Sequence, residues 1–353
     1  MPVWNCLDLC RQFGPETCAE CPYACPRRPA FAAMMRAVVG PDLTNTPRHS
    51  PTATPLLPPI VPYILHGYRR SDCLRTDWVA VPLHVLFERG TGKPLQGGRS
   101  ELTRLLRIQP DTKLIVVGIA KDDVLEAYWY RARPAGILRA ICDLMPDLVT
   151  TPNFSLFSNV PRWDNFVNMK RTALSCCELG SRGLNTVLSV VGRTPEDYRR
   201  WADFVAEREE IACLACEFAT GAGQGDRIHW HVAQLLRLAG RVKRRLRLLT
   251  KGGRHVALRL SQAFDVTLID SDPFMKAMKR RRFLCSQEGK RKWARVLTPD
   301  GRCLDEILQH NVDGVTSAAD FRIEQKGSAA VPVSMVEPDI SWAANSVGVT
   351  VCR

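Results

Sequence analysis

The segment Val266–Phe283 carries the most informative chemistry in the chain. A short apolar, β-branched run from Val266 to Ile269 ends abruptly in the carboxylate Asp270. Ser271, Asp272 and Pro273 are residue types that open a helix, and that helix is expected to carry Lys276, Lys279, Arg280, Arg281 and Arg282. A carboxylate at the C-terminal lip of a buried strand stands where an α/β barrel performs its chemistry. Cations directly behind it can hold a polyanion over that lip. The bland role for Asp270 is a helix cap, since Asp before a helix start is a favoured capping residue.

Further polar residues close other apolar runs. Asp122 and Asp123 follow Lys113–Gly118, Asn153 follows Val149, and Glu217 with Gly221 ends the run from Ile211. Lys251 ends the run from Leu246 and is expected to contact the nucleic-acid backbone. Asp123 can simply cap the helix beginning at Val124, and Asn153 can close a turn. A buried Glu without a partner is costly, so Glu217 at a strand end leans towards a functional role. Glycines at 192, 221, 223, 252 and 253 would let a flat ring approach the backbone. A second cation cluster spans Arg241–Arg247 and includes Arg244 and Arg245, and Lys290–Arg295 extends the first. Two such runs flanking one strand in sequence point to phosphate contacts rather than to a merely solvated face. Within the second run, Phe283 and Trp293 can stack on bases or anchor their own segment.

The elements that must position these residues alternate between short β-branched runs and amphipathic stretches. Candidate strands are 60–65, 79–87, 113–118, 148–155, 186–191, 211–218, 246–250 and 266–270, with helical patterns at 123–144, 195–208 and 228–238. Thr194 is the expected cap of the second helix, with Pro195 in its first turn. Continuous apolar strands separated by helices imply a parallel sheet covered on both faces. About eight such units match a (β/α)8 TIM-type barrel. The division is therefore a Cys-rich module over 1–40, a Pro/Thr-rich linker over 41–59, the barrel over 60–325 and a tail over 326–353. The linker is expected to be extended and without a packed core.

Composition narrows the class. The formal net charge is +13, from 49 Lys+Arg against 36 Asp+Glu, which favours a polyanionic partner. No apolar run approaches the ~18 residues of a membrane span, and the N-terminus lacks a signal-peptide pattern, so a cytoplasmic protein without a membrane partner is expected. A homodimer is compatible with the sequence.

Fourteen cysteines are present. In a cytosolic chain they argue for metal ligation and buried thiols rather than disulfides. Cys6, Cys10, Cys18, Cys21 and Cys25 lie close enough for a four-coordinate site. Zn²⁺ fits a small structural knuckle, and an iron–sulfur cluster is the alternative, because the Cys18–Pro26 ending resembles ferredoxin ligation. Cys213 and Cys216 fall on opposite faces of one strand and read as core thiols, as do Cys142, Cys176 and Cys177 on helical patterns. His229 and His231 do not share a helix face and make a poor metal pair.

Asp265, Ile269-Asp270-Ser271, Phe274, Ala277 and Arg282-Phe283-Leu284 together resemble the late-barrel motif of the tRNA-guanine transglycosylase superfamily. Weaker similarity covers Leu184–Val191, Glu210–Gly221 and Arg247–Gly253. The chain departs from the family in lacking its early Asp-Ser-Gly-Gly-Phe signature and its zinc site after the barrel, where only Cys285, Cys303 and His310 stand nearby. The resemblance implies base exchange: guanine leaves a nucleic acid and a 7-deazaguanine takes its place through a covalent glycosyl-Asp270 intermediate. It implies Asp122 as the proton handler, with Asp123 as substitute, and Asn153, Glu217 and Gly221 around the purine. The departures from tRNA-type signatures favour DNA over tRNA. Two other classes remain: a nucleic-acid-binding barrel without catalysis, and an iron–sulfur enzyme.

Overall fold

The computed structural model describes residues 31–324, apart from 158–161, 224, 226, 286–290 and 299–302. The five cysteines of the N-terminal module and the tail after 324 lie outside the described residues.

Eight parallel strands form one sheet. They are β1 (Ile60–Pro62), β2 (Trp78–Pro82), β3 (Lys113–Val117), β4 (Leu148–Thr150), β5 (Thr186–Ser189), β6 (Cys213–Glu217), β7 (Leu246–Lys251) and β8 (Phe264–Asp270). Their order is β1-β8-β7-β6-β5-β4-β3-β2. The two edges meet at a parallel bridge between Tyr63 and Ala80, where Ile64 N donates to Ala80 O at 2.9 Å. The result is a nearly closed α/β barrel compatible with the TIM type, and all eight expected strands contribute to it, although the run expected over 79–87 ends at Pro82 in a 3-10 turn (Leu83–Leu86) and that over 148–155 ends at Thr150. Every residue of β2, β4 and β5 is buried, as strands covered on both faces require.

Side-chain alternation divides the core. Val61, Tyr63, Val117, Val187, Ala215, Leu249 and Ile269 fill the barrel interior. Leu188, Leu214, Cys216 and Leu248 point outward to helices α5 (Arg162–Gly180), α6 (Pro195–Ala206) and α7 (Arg227–Val242). Cys213 lies inside and Cys216 outside, both buried, and burial raises both thiol pKa values. Thr194 caps α6 reciprocally: Asp197 N donates to Thr194 Oγ1 at 3.3 Å, and Thr194 N donates to Asp197 Oδ2 at 3.0 Å.

Three sequence expectations change. The helix foreseen over 123–144 is broken into α3 (Asp122–Ala127), one wide turn at 128–132 and α4 (Ile137–Leu144). Pro134 and Gly136, the latter at φ 92°, interrupt it. The helix after Asp270, α9 (Asp272–Met278), stops before most of the cations it was expected to carry. Arg281–Cys285 instead forms β9, paired antiparallel with β10 (Arg291–Arg295) and backed by α10 (Asp305–Glu324).

The third change concerns residues 41–59. Beyond a turn at 43–46, where Thr46 N donates to Leu43 O at 3.1 Å, they are extended as expected, but they are tied along the barrel by side-chain donors. Lys170 Nζ donates to Asp42 O and Asn45 Oδ1, and Arg208 to Thr46 O and Pro47 O. Arg247 Nη1 donates to Thr54 O and Pro55 O at 2.6 and 2.8 Å. Leu43 and Thr46 are buried beneath these contacts. Met35 and Val38, in and just after α1 (Phe31–Ala37), join the main core, so this stretch packs as part of the barrel body.

Candidate active site at the carboxyl ends of the strands

Parallel strands bring their C-terminal ends to one mouth, and polar residues there divide into an inner and an outer set. Ala215 and Leu249 face the interior, so Glu217 and Lys251, two residues on, face it too. Glu217 and Lys251 are register partners across β6 and β7. Lys251 Nζ crosses the mouth to donate to Ile119 O at 3.3 Å and stands 5.4 Å from the Tyr63 ring centroid. Burial lowers the Lys251 ammonium pKa below the ordinary lysine range, and the Glu217 carboxylate opposes that shift. Burial, and secondarily Glu217, raises the Tyr63 phenol, which stays protonated as a donor. Glu217 itself accepts from Thr220 Oγ1 at 2.7 Å.

Asp270 belongs to the outer set. Ile269 fills the interior, so strand alternation turns Asp270 the other way, towards the β9–β10 hairpin. It is 7% exposed. Its Oδ1 accepts from Asp272 N at 2.9 Å, and its Oδ2 is ion-paired with the Arg291 guanidinium of β10. The capping role is divided: Ser271 is the cap residue of α9, while the carboxylate that bonds the first turn comes from Asp270. Sequence reading did not single out Arg291. Its signal was present only as one cation among several after Phe283.

The remaining candidates take distinct places. Asp122 and Asp123 open α3 at the same end of the barrel, both exposed, and Asp123 pairs with Arg89 at 2.6 Å. Asn153 follows β4, and its Oδ1 accepts from Ala120 N at 3.0 Å, so it fastens the β3 loop as a turn-closing Asn would. Asn153 and Glu217 both line a cavity of about 80 Å³ with Ser189, Arg193, Cys216 and Thr220. Gly221 begins the short turn Gly221–Gly223 beside it. At the back of this cavity the Tyr198 hydroxyl and His231 Nδ1 are hydrogen-bonded at 2.7 Å. Burial, reinforced by Arg193 and Arg227, pushes His231 down to about 4, so the imidazole is neutral near pH 7.

The glycines at these lips admit the chain's own backbone or, at Gly192, a tyrosine ring, rather than leaving open floor. A Cβ on Gly252 (φ 79°) would stand 2.8 Å from Ala219 N, one on Gly223 1.7 Å from Phe218 O, and one on Gly192 2.5 Å from the Tyr198 ring. The first correction to the cation map follows from topology. Arg244 and Arg245 precede β7 and therefore lie at the amino-terminal end of the barrel, opposite Asp270. Arg244 donates to Val205 O, Arg208 O and Ile211 O at 2.7–3.0 Å, and Arg245 pairs with Asp265 at 2.6 Å. The Asp270 end instead has Lys276 and Lys279 on and after α9, then Arg280 in the turn at φ 53°, then Arg281 and Arg282 on β9. Lys292 and Arg295 on β10 are exposed with Arg281 and Arg282. Phe283 and Trp293 pack edge-to-face at 5.6 Å, with Phe283 buried, which makes them anchors of the hairpin.

Among the described residues no cluster of three or more His, Cys, Asp or Glu side chains could hold a metal, and no helix is long and apolar enough to cross a membrane. Protein-family models and curated protein sequences give no match to this chain, so what the site can do is argued from its own residues.

Proposed function

We propose that this barrel exchanges a purine base in nucleic acid, DNA ahead of RNA, through a covalent glycosyl-Asp270 intermediate. The observation that carries the reading is the ion pair between Asp270, at the end of β8, and Arg291, on a hairpin whose neighbouring cations face solvent. A polyanion bound to Arg281, Arg282, Lys292 and Arg295 lies next to the carboxylate, and a phosphate that takes over Arg291 releases Asp270 for attack. The resemblance of Ile269-Asp270-Ser271 and Arg282-Phe283-Leu284 to the guanine transglycosylase motif supports the same assignment.

In this reading an Asp270 oxygen bonds to the anomeric carbon while the bond to the purine nitrogen breaks and its electron pair departs with guanine. Asp122 in its acid form supplies the proton that the departing base takes up. The incoming 7-deazaguanine gives a proton back to the Asp122 carboxylate, its nitrogen bonds to the same carbon, and Asp270 leaves with the electron pair. Asn153, Glu217 and the turn at Gly221 border the base. The Cys-rich module would hold Zn²⁺, or an iron–sulfur cluster, outside the described residues, and no step needs either.

Labelled guanine or 7-deazaguanine is to be incubated with the protein and DNA or RNA, and the nucleosides read by mass spectrometry. Label is expected to enter nucleic acid with wild type and not with Asp270→Ala, and Asp122→Ala is expected to slow exchange by about 10²-fold or more. Undiminished exchange by Asp270→Ala sinks the nucleophile assignment. Tight nucleic-acid binding without any exchange by wild type would instead favour a binding barrel.

A further inference from the structure

Lys251, on the interior face of the mouth, takes no part in the exchange steps above, and it has a chemistry of its own. We propose that Lys251 is an imine-forming lysine, and that its partner is the aldehyde of a ring-opened, base-free deoxyribose carried on nucleic acid.

Four observations meet at this side chain. Lys251 stands on the interior face at the end of β7 and reaches across the mouth instead of extending into solvent. Among the described residues its ammonium has one hydrogen-bond acceptor, Ile119 O, at the long distance of 3.3 Å, which a substrate can displace. Glu217 lies beside it in register on the same interior face, accepting from Thr220 Oγ1 and acting on the ammonium through its charge. The Tyr63 ring stands under the ammonium, 5.4 Å from nitrogen to centroid, and its phenol is held protonated by burial. A lysine whose only task was to bind phosphate would gain nothing from this enclosure, because a phosphate-binding ammonium works from the surface as a point charge. A lysine that must lose its proton before attacking a carbonyl gains from it directly, and burial moves its pKa in the required direction.

The step balances without a redox partner. Lys251 gives up a proton, and its nitrogen lone pair bonds to the aldehyde carbon. The carbonyl electrons pass to oxygen, which takes one proton from the attacking nitrogen and a second from Glu217, the group that received the ammonium's proton, and leaves as water while the nitrogen lone pair closes the C=N bond of an iminium. The identity of the aldehyde rests on the base-exchange reading: if water intercepts the sugar after the base has left, a deoxyribose without its base stands at this mouth. Its phosphates are then within the field of the hairpin cations, and its open-chain form presents an aldehyde at the former anomeric carbon.

The test supplies that sugar ready-made. Wild-type protein is mixed with a single-stranded oligonucleotide holding one preformed abasic site, and sodium cyanoborohydride is added to reduce any iminium. A covalent protein–DNA species is expected, with the added mass on Lys251 after proteolysis and a yield at least tenfold lower for Lys251→Met and Lys251→Arg. Absence of the covalent species, or its mass on surface lysines such as Lys276 or Lys292, overturns the proposal; the mapping on wild type holds whether or not the variants fold. Base exchange is followed separately with labelled guanine. Exchange without the Lys251 adduct overturns this inference alone, and the adduct without exchange overturns the base-exchange reading alone.

Discussion

The guanidinium of Arg291 and the carboxylate of Asp270 form an ion pair with side chains only 6% and 8% exposed, joining the β9–β10 hairpin to the end of β8. The pair makes the carboxylate's charge tolerable in a nearly dry setting and fastens a cationic hairpin beside it. Removing either partner alone leaves the other charge buried. Arg291→Leu is therefore expected to destabilise the fold by about 3 kcal/mol, and Asp270→Leu by a similar amount. The double variant should lose much less than the sum, because neither charge is then stranded. Urea denaturation of the four proteins measures the coupling; additive losses would mean that the pair does not form.

His231 gives a pH prediction with a definite sign. Its folded pKa is pushed down to about 4, against an unfolded value near 6.5. Between those values the unfolded chain binds more protons, so stability rises with pH. The neutral imidazole's contribution is fully present above about pH 6.5 and declines as pH falls towards 4. His231→Gln should flatten the stability profile across that window, as followed by thermal unfolding at successive pH values. An imidazole NMR signal for His231 titrating near 6.5 in the folded protein would contradict this.

The strap at 41–59 predicts a protease phenotype. Its carbonyls are held by Lys170, Arg208 and Arg247, so Arg208→Ala strips Thr46 O and Pro47 O of their donors at once. Cleavage within 41–59 by a low concentration of protease should accelerate several-fold, beyond the general loss of stability that stranding buried Glu210, the ion-pair partner of Arg208 at 3.2 Å, brings. Unchanged cleavage would show that the Pro-rich chain holds its path without those bonds.

The barrel was legible because its strands are short, β-branched and bounded by turn residues, a pattern that burial on both faces imposes directly on sequence. Helix α5 was legible only around Cys176 and Cys177, since its buried positions run nearly all the way round and leave no amphipathic stripe to read. The hairpin was hidden for a different reason. Arg281–Cys285 and Arg291–Arg295 alternate charged and apolar residues, but their charge density suggested a solvated helix end. The site followed the same division. Asp270 could be found from its place at the end of an apolar run, and Glu217 and Lys251 likewise. Which of them face the interior depends on register within each strand, and that Arg291 rather than Arg244 or Arg245 meets Asp270 depends on which end of β7 those arginines occupy.

That last distinction yields a test of the whole cation map. Each phosphate contact contributes about 0.9 to the slope of log affinity against log salt on duplex DNA, so losing a true contact lowers the slope by about one. Arg281, Arg282, Lys292 and Arg295 are exposed on the hairpin next to Asp270, and alanine at any one of them should weaken nucleic-acid binding and reduce the slope. Arg244 lies at the other end of the barrel, donating to the backbone carbonyls of Val205, Arg208 and Ile211. Arg244→Ala should therefore leave the slope unchanged while lowering the midpoint of urea denaturation, since three carbonyls lose a charged donor worth about 1.5–3 kcal/mol in such bonds. Arg245, paired with exposed Asp265 and donating to Ser261 O and Phe264 O at 3.3 and 3.1 Å, should likewise leave the slope unchanged. Fluorescence anisotropy with one oligonucleotide at a series of salt concentrations, run beside denaturation of the same variants, separates the two groups. A slope that falls with Arg244→Ala and stays constant with the hairpin variants would move the nucleic-acid face to the amino-terminal end of the barrel, away from Asp270, and would remove the physical link between the carboxylate and its substrate.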